Sequence, residues 1–386
     1  MMKDILLLDK LFSTEEIMIR DSVRRFVSEV AEPLLTQANE VAHFPMELIP
    51  KMAELGVFGM RLPESVGGSN ASAFSYGLAC QELERGDSAL RSFVSVQSSL
   101  CMYPIYRFGS EQQQQTWLPR MAKGEIIGCF GLTEPDSGSD PSSMKTHAKR
   151  AKGGWILNGA KMWITNAPFA QLALIWAQTS EGIRGFLVET EREGIECTEM
   201  KHKFSLRASS TGEISLNDCW IPEENILAGT AKGLSCALSC LNQARFGIAW
   251  GVIGAAESCF DTASNYLAER NQFAKPLASY QLIQKDLVDI FNEIIKAKCL
   301  NIQLGRLMNT GDATPEMISL AKMNNCREAL RIARMARNLM GANGISIEYP
   351  VMRHVVNLES VFTYEGTDNI HHLILGKYLT GIDAFA

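Results

Sequence analysis

The hydrophobic period of this chain changes twice along its length, and few folds accommodate such a change. From Ser13 the stretch STEEIMIRDSVRRFVSEVAEPLL carries apolar residues at helical spacing. Ser13 and Glu16 make the S-x-x-E pattern that closes a helix N-terminus. The same period recurs to about residue 126, in PMELIPKMAELGVFG, SYGLACQELERGDSALRSFVSVQSSLCMYPIYRFG and SEQQQQTWLPRMAKG, punctuated by Gly and Pro. Near residue 127 the texture becomes short β-branched or aromatic runs between turn residues: GGWILNGAKMWITN, LALIWAQ, RGFLVET, GIECTEM and TGEISLNDCWIP. That pattern predicts a strand-rich middle, to about residue 230. Beyond it come three long helical stretches and a shorter fourth ending near Gly381, one of them with Thr314 as N-cap, Pro315 at the first position and Gly341 as C-cap. The expectation is an α+β chain in three parts: an N-terminal helical domain (1–126), a middle β domain (127–230) built as a barrel or sandwich, and a C-terminal four-helix bundle (231–386).

Composition narrows the function classes. The 386 residues are 46% hydrophobic and 21% charged, which supports two or three domains sharing a large core. A formal net charge of -6 without a long Lys/Arg cluster argues against a nucleic-acid partner, because phosphate binding needs a basic footprint. No run of about 18 apolar residues occurs, so no membrane span is expected. The opening MMKDILLLDKLFSTEE lacks the basic n-region and long apolar stretch of a signal peptide. The expected location is the cytoplasm, or the mitochondrial matrix if the chain is a processed eukaryotic form. Ten scattered cysteines without a CxxC pair indicate neither a disulfide framework nor a zinc ribbon. Cys236 and Cys240 share a helical face but have no matching His or Cys pair, so they read as core residues and no metal is expected.

Signature motifs for several chemistries are missing. No GxGxxG opens a helix after a strand and no GxxxxGK[ST] occurs, which removes the main support for nicotinamide and P-loop enzymes. HExxH and GxSxG are also absent. His371 and His372 are adjacent, so on a helix they point about 100° apart and do not chelate one ion. What remains is local. CFGLTEPDSGSDPSSM (129–144) presents backbone N–H groups and hydroxyls at low steric cost, which suits a turn or a ring system with a phosphate-bearing chain. In WIT (163–165), Trp163 suits stacking on an aromatic cofactor or burial in a core. Arg91, in GDSALRSFVSVQSSL, is by residue type a solvated charge, a salt bridge or a ligand. Glu365, between Tyr364 and Gly366 before a helix start, is a surface acid, a cap or a base.

In chain order, CFGLTEPDSGSD, WIT, FSLRASSTGEI, ERNQFAKPLASYQLIQ, MGANGI and TYEGTDNIHHLILG resemble the acyl-CoA dehydrogenase family, from roughly residue 10 to the C-terminus. Each piece is modestly specific; their joint order and spacing carry the resemblance. Within the family, RSFVSVQSSL, FSLRAS, LNQARFGIAWG and NLESVFTYEGT most resemble the glutaryl-CoA dehydrogenase branch. The resemblance implies FAD as cofactor, a homotetramer, and an electron-transferring flavoprotein as electron acceptor. It also implies that Phe130, Leu132, Thr133, Gly138, Ser139, Trp163, Ile164 and Thr165 line the flavin. Arg270, Phe273, Gln281, Asn338, Gly341, Ala342, Thr367, Asn369 and Phe385 would touch FAD, in part from a neighbouring subunit. Ser139 would also meet the acyl-CoA, as would Leu238, Asn242 and Arg245. The chain departs from the family pattern where Ala342 and the pair Asp368 and Asn369 replace the more usual GG and THD, and where Gln243 and Phe246 replace Asn and Tyr.

By the same resemblance Glu365 is the base that removes the α-proton of the acyl thioester. Gly366 admits the ligand close to the backbone, and the Glu365 N–H bonds the thioester oxygen. Arg91, with Ser92 and Ser95 beside it, would face the distal carboxylate of a five-carbon dicarboxylic chain, glutaryl-CoA. Glu84 and Tyr364 match positions that the decarboxylating branch places near that carboxylate; from the residue alone, Glu84 is equally an ordinary helix-surface acid. Other readings are a monocarboxylic acyl-CoA dehydrogenase, a glutaryl enzyme that stops at glutaconyl-CoA, an acyl-CoA oxidase and a non-catalytic scaffold.

Overall fold

The computed structural model describes residues 3–385. The first third is helical: α1 (Thr14–Phe26), α2 (Glu32–Val41), α3 (Leu48–Glu54), α4 (Ala73–Gly86), α5 (Ser88–Ser95), α6 (Tyr103–Phe108) and α7 (Glu111–Ala122). The capping box closes reciprocally, with Ser13 N–H donating to Glu16 at 2.8 Å and Glu16 N–H to Ser13 Oγ at 3.2 Å. Short π-helical stretches, Val27–Ala31 and Val96–Met102, carry the chain from α1 into α2 and from α5 into α6. Asp87 caps α5 by accepting from Ala89 N–H at 2.8 Å.

The helices hand over to the strands through one buried side chain. Gln97 Nε2 donates to the carbonyls of Met121 (3.1 Å) and Ile126 (2.8 Å), and its Oε1 accepts the Gly128 N–H at 2.8 Å. Gly128 opens β1 (Gly128–Gly131), followed by β2 (His147–Ala151), β3 (Gly154–Thr165), β4 (Leu172–Thr179), β5 (Gly182–Glu189), β6 (Ile195–Glu199) and β7 (Thr211–Pro222). All seven form one sheet in the order β1-β4-β2-β3-β7-β6, with β5 also paired to β4. The antiparallel β3–β7 register slips between Lys161 and Ile164. A bulge there turns Met162 and Trp163 out of the regular alternation.

The last third comprises α8 (Leu234–Glu269), a hairpin of β8 (Asn271–Gln272) and β9 (Lys275–Pro276), then α9 (Gln281–Thr310), α10 (Pro315–Leu339), α11 (Val351–Thr363) and α12 (Asp368–Thr380). Thr314 caps α10 by accepting from Met317 N–H, and Gly341 takes φ +58 just past its end. α8 packs against the almost fully enclosed α4 through small residues. An added Cβ would meet Cys80 Sγ at 3.1 Å from Gly247, Glu84 Oε2 at 2.1 Å from Gly251 and the Gln81 carbonyl at 1.8 Å from Gly254. Only glycine permits that approach. Inside the bundle, Asn301 and Asn325 both donate to the Ala249 carbonyl, at 3.0 and 2.9 Å, tying α9 and α10 to α8. Asp87 joins α5 to α11 by accepting from Asn357 at 3.1 Å and pairing with Arg353 at 2.9 Å. These ties set the α4–α5 corner facing the turn between α11 and α12, where Glu365 lies.

Candidate active site

Glu365 sits on a turn that the backbone does not favour. Its φ is +53 and that of Gly366 is +99; for a residue with a Cβ the left-handed region costs about 1–2 kcal/mol. Two buried cations hold the turn. Lys322 Nζ on α10 donates to the carbonyls of Gly366 (2.8 Å), Tyr364 (3.0 Å) and Phe362 (3.5 Å). Arg245 Nε on α8 donates to the Glu365 carbonyl at 2.7 Å. Downstream, Thr367 caps α12 by accepting the Ile370 N–H at 3.3 Å.

The Glu365 side chain is left for chemistry. Its Oε2 is enclosed without a hydrogen-bond partner, and its own N–H donates to no acceptor among the described residues. Burial holds the carboxyl above its ordinary 4.5, although Arg91, Arg245 and Lys322 pull in the opposite sense. A carboxylate with raised proton affinity and no structural hydrogen bond is neither a surface acid nor a cap.

Arg91 on α5 reaches the same turn through Tyr364 and is fully buried. Its Nε donates to Glu84 Oε2 at 2.6 Å and its Nη2 to the Tyr364 hydroxyl, and its guanidinium lies 5.7 Å from the Tyr364 ring centre. A guanidinium has five N–H donors, so Nη1 and one Nη2 hydrogen remain for an incoming acceptor. Glu84 is itself fully buried, which replaces the surface-acid reading, and its Oε1 has no partner. Ser95, one turn beyond Arg91 on α5, is enclosed with its Oγ unbonded; Ser92 is buried on the same helix. Gly251 makes the room, since any side chain there would strike Glu84 and Arg91.

A second face is built from β1, β3 and the loop after β1. Glu134 organises that loop, accepting from Lys145 N–H (2.6 Å), Thr146 N–H (3.0 Å) and the buried Lys161 Nζ (2.8 Å), which also donates to the Leu132 carbonyl at 3.0 Å. Phe130, Leu132 and Ile164 are buried beneath it, Thr133 and Thr165 are half-buried, and Gly138 and Ser139 are exposed. Trp163 is 57% exposed at φ +64, so it is not a core tryptophan: the β-bulge presents its indole outward. The exposed aromatic face and the polar loop fit a planar ring with a polar edge.

The remaining sequence-derived positions fall into two sets. Leu238 and Asn242 lie on α8 within two turns of Arg245, with Asn242 Oδ1 accepting from Arg245 Nη1 at 3.4 Å. Thr367 and Asn369 follow the Glu365 turn. Arg270, Phe273, Gln281, Asn338, Gly341, Ala342 and Phe385 are exposed at the α8–α9 hairpin, the end of α10 and the C-terminus. No hydrogen bond or ring contact among the described residues links this set to Trp163 or Glu365.

Sequence reasoning passed over Lys322, Gly251 and the Glu134–Lys161 pair. Lys322 had a readable signal, a charged residue inside the apolar stripe Ile318, Ala321, Cys326 and Ala329 of α10. Gly251 had none, because a glycine in a long helix is not distinguishable by local pattern.

Three family models match this chain in succession: the N-terminal domain of acyl-CoA dehydrogenase over residues 13–125, its middle domain over 129–219 and its C-terminal domain over 231–380. The chain belongs to the acyl-CoA dehydrogenase family. It is similar to a glutaryl-CoA dehydrogenase from Mycobacterium smegmatis solved in complex with FADH2, at 50% identity over 99% of both chains and a TM-score of 0.98. It is also similar to a glutaryl-coenzyme A dehydrogenase in its glutaryl-CoA complex, at 32% identity over 96% of both chains and a TM-score of 0.92. The mitochondrial short-chain specific acyl-CoA dehydrogenase of Rattus norvegicus is 33% identical over 367 residues, spanning 94% of this chain and 89% of that protein.

Proposed function

We propose that this FAD-dependent acyl-CoA dehydrogenase oxidises glutaryl-CoA and decarboxylates the product to crotonyl-CoA and CO2. The observation that carries the proposal is Arg91, a fully buried guanidinium with unused donors in a site whose opposite end holds the base. A butyryl or valeryl chain leaves those donors unpaired, and an unpaired buried charge costs about 3–5 kcal/mol. A distal carboxylate satisfies them with charge-assisted hydrogen bonds.

Phe130, Leu132, Thr133, Ser139, Trp163, Ile164, Thr165, Thr367 and Asn369 are the residues of this chain that would hold the flavin end. When bound, FAD would supply the acceptor for the β-hydrogen and its electron pair. Glu365 takes the α-proton, and its burial keeps that carboxyl basic while keeping water from competing. The Glu365 N–H stabilises the negative charge that develops on the thioester oxygen. In the resulting unsaturated diacid, Glu84 stands against the cation that binds the distal carboxylate. A second acid there weakens the carboxylate's hold on Arg91, which favours breaking its C–C bond; CO2 leaves, the electron pair delocalises toward the thioester, and a proton returns at the γ-carbon.

Assembly as a homotetramer is supported by large apolar side chains left open near the hairpin, Phe273 at 90% and Leu282 at 79% exposure. Part of the FAD-contacting set then comes from the neighbouring subunit, and an electron-transferring flavoprotein takes the electrons. Among the described residues no helix is long and apolar enough to cross a membrane. The deciding test is mass spectrometry of acyl-CoA products after incubation with glutaryl-CoA and an artificial electron acceptor. Crotonyl-CoA is expected; glutaconyl-CoA removes the decarboxylation step, and turnover confined to monocarboxylic acyl-CoAs removes the Arg91 assignment.

A further inference from the structure

Lys322 is 1% exposed and takes no part in the chemistry above, yet it lies where the helical period of α10 places apolar side chains. Its ammonium is solvated instead by three backbone oxygens, those of Phe362, Tyr364 and Gly366, which flank Glu365 on both sides. An ammonium has three N–H donors and no lone pair, so the charged form matches three acceptors; a neutral amine would turn its lone pair on one of them. Disfavoured backbone persists only where its surroundings over-determine it, and the positive φ values of Glu365 and Gly366 are the backbone that Lys322 clamps.

Of the other charged and titratable groups around the carboxylate, the two arginines are already engaged, and burial pushes the neighbouring Cys326 thiol up to about 11, so it stays protonated. Arg91 from α5 is bonded to Glu84 and Tyr364, and Arg245 from α8 holds the Glu365 carbonyl. His371 on α12 has its Nε2 3.0 Å from where a Cβ on Gly366 would sit; burial, and then Lys322 and Arg245, push its pKa down to about 3, so it stays neutral. Burial lowers the Lys322 ammonium from its ordinary 10.5.

We propose that Lys322 is the positioning residue of the catalytic base: it clamps the left-handed turn that aims the Glu365 carboxylate, and its charge sets how tightly that carboxylate holds a proton. The proposal rests on the assignment of Glu365 as the base. Without the ammonium the flanking carbonyls are free to rotate, and the carboxylate loses a neighbouring positive charge, so Glu365 keeps its proton to higher pH. Lys322 is enclosed and its three donors are spent on backbone carbonyls, so on this proposal its loss acts on the rate and not on ligand affinity.

The test uses FAD-loaded Lys322→Met and Lys322→Arg proteins in anaerobic single turnovers with glutaryl-CoA, and with butyryl-CoA alongside, followed by flavin absorbance from pH 5 to pH 9. The Met variant is expected to reduce its flavin about 100-fold more slowly at neutral pH, the cost of a misplacement of about 1 Å. Its acidic limb should move up by about one pH unit, with crotonyl-CoA affinity within about threefold of wild type, and the Arg variant should recover most of the limb position. A Met variant with the wild-type rate and limb overturns the proposal. So does a slow one whose limb has not moved, which is the behaviour of a merely structural lysine. If the Met protein fails to retain FAD, Lys322→Gln takes its place in the same assay. Glu365→Gln run in parallel separates the two assignments: full turnover by that variant overturns the base itself, whereas an inactive Glu365→Gln beside a wild-type-like Lys322→Met overturns only the role given to Lys322.

Discussion

Adding one methyl group at residue 251 tests how the buried Glu84–Arg91 pair is built. An alanine Cβ there would lie 2.1 Å from Glu84 Oε2 and 3.1 Å from Arg91 Cγ, where ordinary contact begins at 3.4 Å. The carboxylate must therefore retreat by 3.4 minus 2.1, about 1.3 Å, which breaks its 2.6 Å bond to Arg91. On helix propensity alone, Gly to Ala inside α8 is stabilising by about 1 kcal/mol. Overpacking costs about 1–3 kcal/mol, and separating a buried ion pair about 3–5 kcal/mol. Both partners are fully buried, so no solvent screening softens that cost. The net expectation for Gly251→Ala is a loss of about 3–7 kcal/mol, read by urea denaturation of the FAD-loaded protein. With it, the kcat/KM preference for glutaryl-CoA over butyryl-CoA should fall at least tenfold, because the displaced Glu84 no longer orients the guanidinium. A variant that gains about 1 kcal/mol and keeps its substrate preference would refute the steric reasoning: the pair would then be tolerating a methyl group that the packing says it cannot.

Glu365→Gln should lower kcat by about 10² to 10⁴-fold while retaining FAD and acyl-CoA binding, measured by absorbance and ligand titration. Since burial raises the Glu365 carboxyl above 4.5 and only the ionised form accepts a proton, kcat should decline as pH falls through a value above 4.5; a limb at or below 4.5 contradicts the burial argument. Arg91→Leu should cost glutaryl-CoA about two to three and a half orders of magnitude in kcat/KM, corresponding to about 3–5 kcal/mol, and leave butyryl-CoA equal or better; equal turnover of glutaryl-CoA by both proteins would remove Arg91 from the site.

Helix starts were legible because a cap is a contact over three residues: Ser13 with Glu16 and Thr314 with Met317 form as their spacing predicts. The strand character of GWILNGAKMWIT was legible for the same reason. The period could not say that β3 slips in register at Lys161 and Ile164 and so exposes Trp163, because a bulge answers to the partner strand. Residue type left Arg91, Glu84 and Glu365 open among solvated, paired and catalytic roles, and burial removed the solvated one. Arg91 meets Tyr364 across 273 residues and Arg245 meets the Glu365 carbonyl across 120, contacts that exist only once α5, α8 and α11 are packed. By itself, then, the sequence determined the order of helices, strands and helices, their caps, and the motifs that carry the family resemblance, all of which depend on neighbours within a few positions. The tertiary structure alone decided that Glu365 is an unbonded, enclosed carboxylate on a clamped left-handed turn and that Arg91 is fully buried with donors to spare, because proton affinity and unused hydrogen-bond capacity are properties of what surrounds a side chain in space.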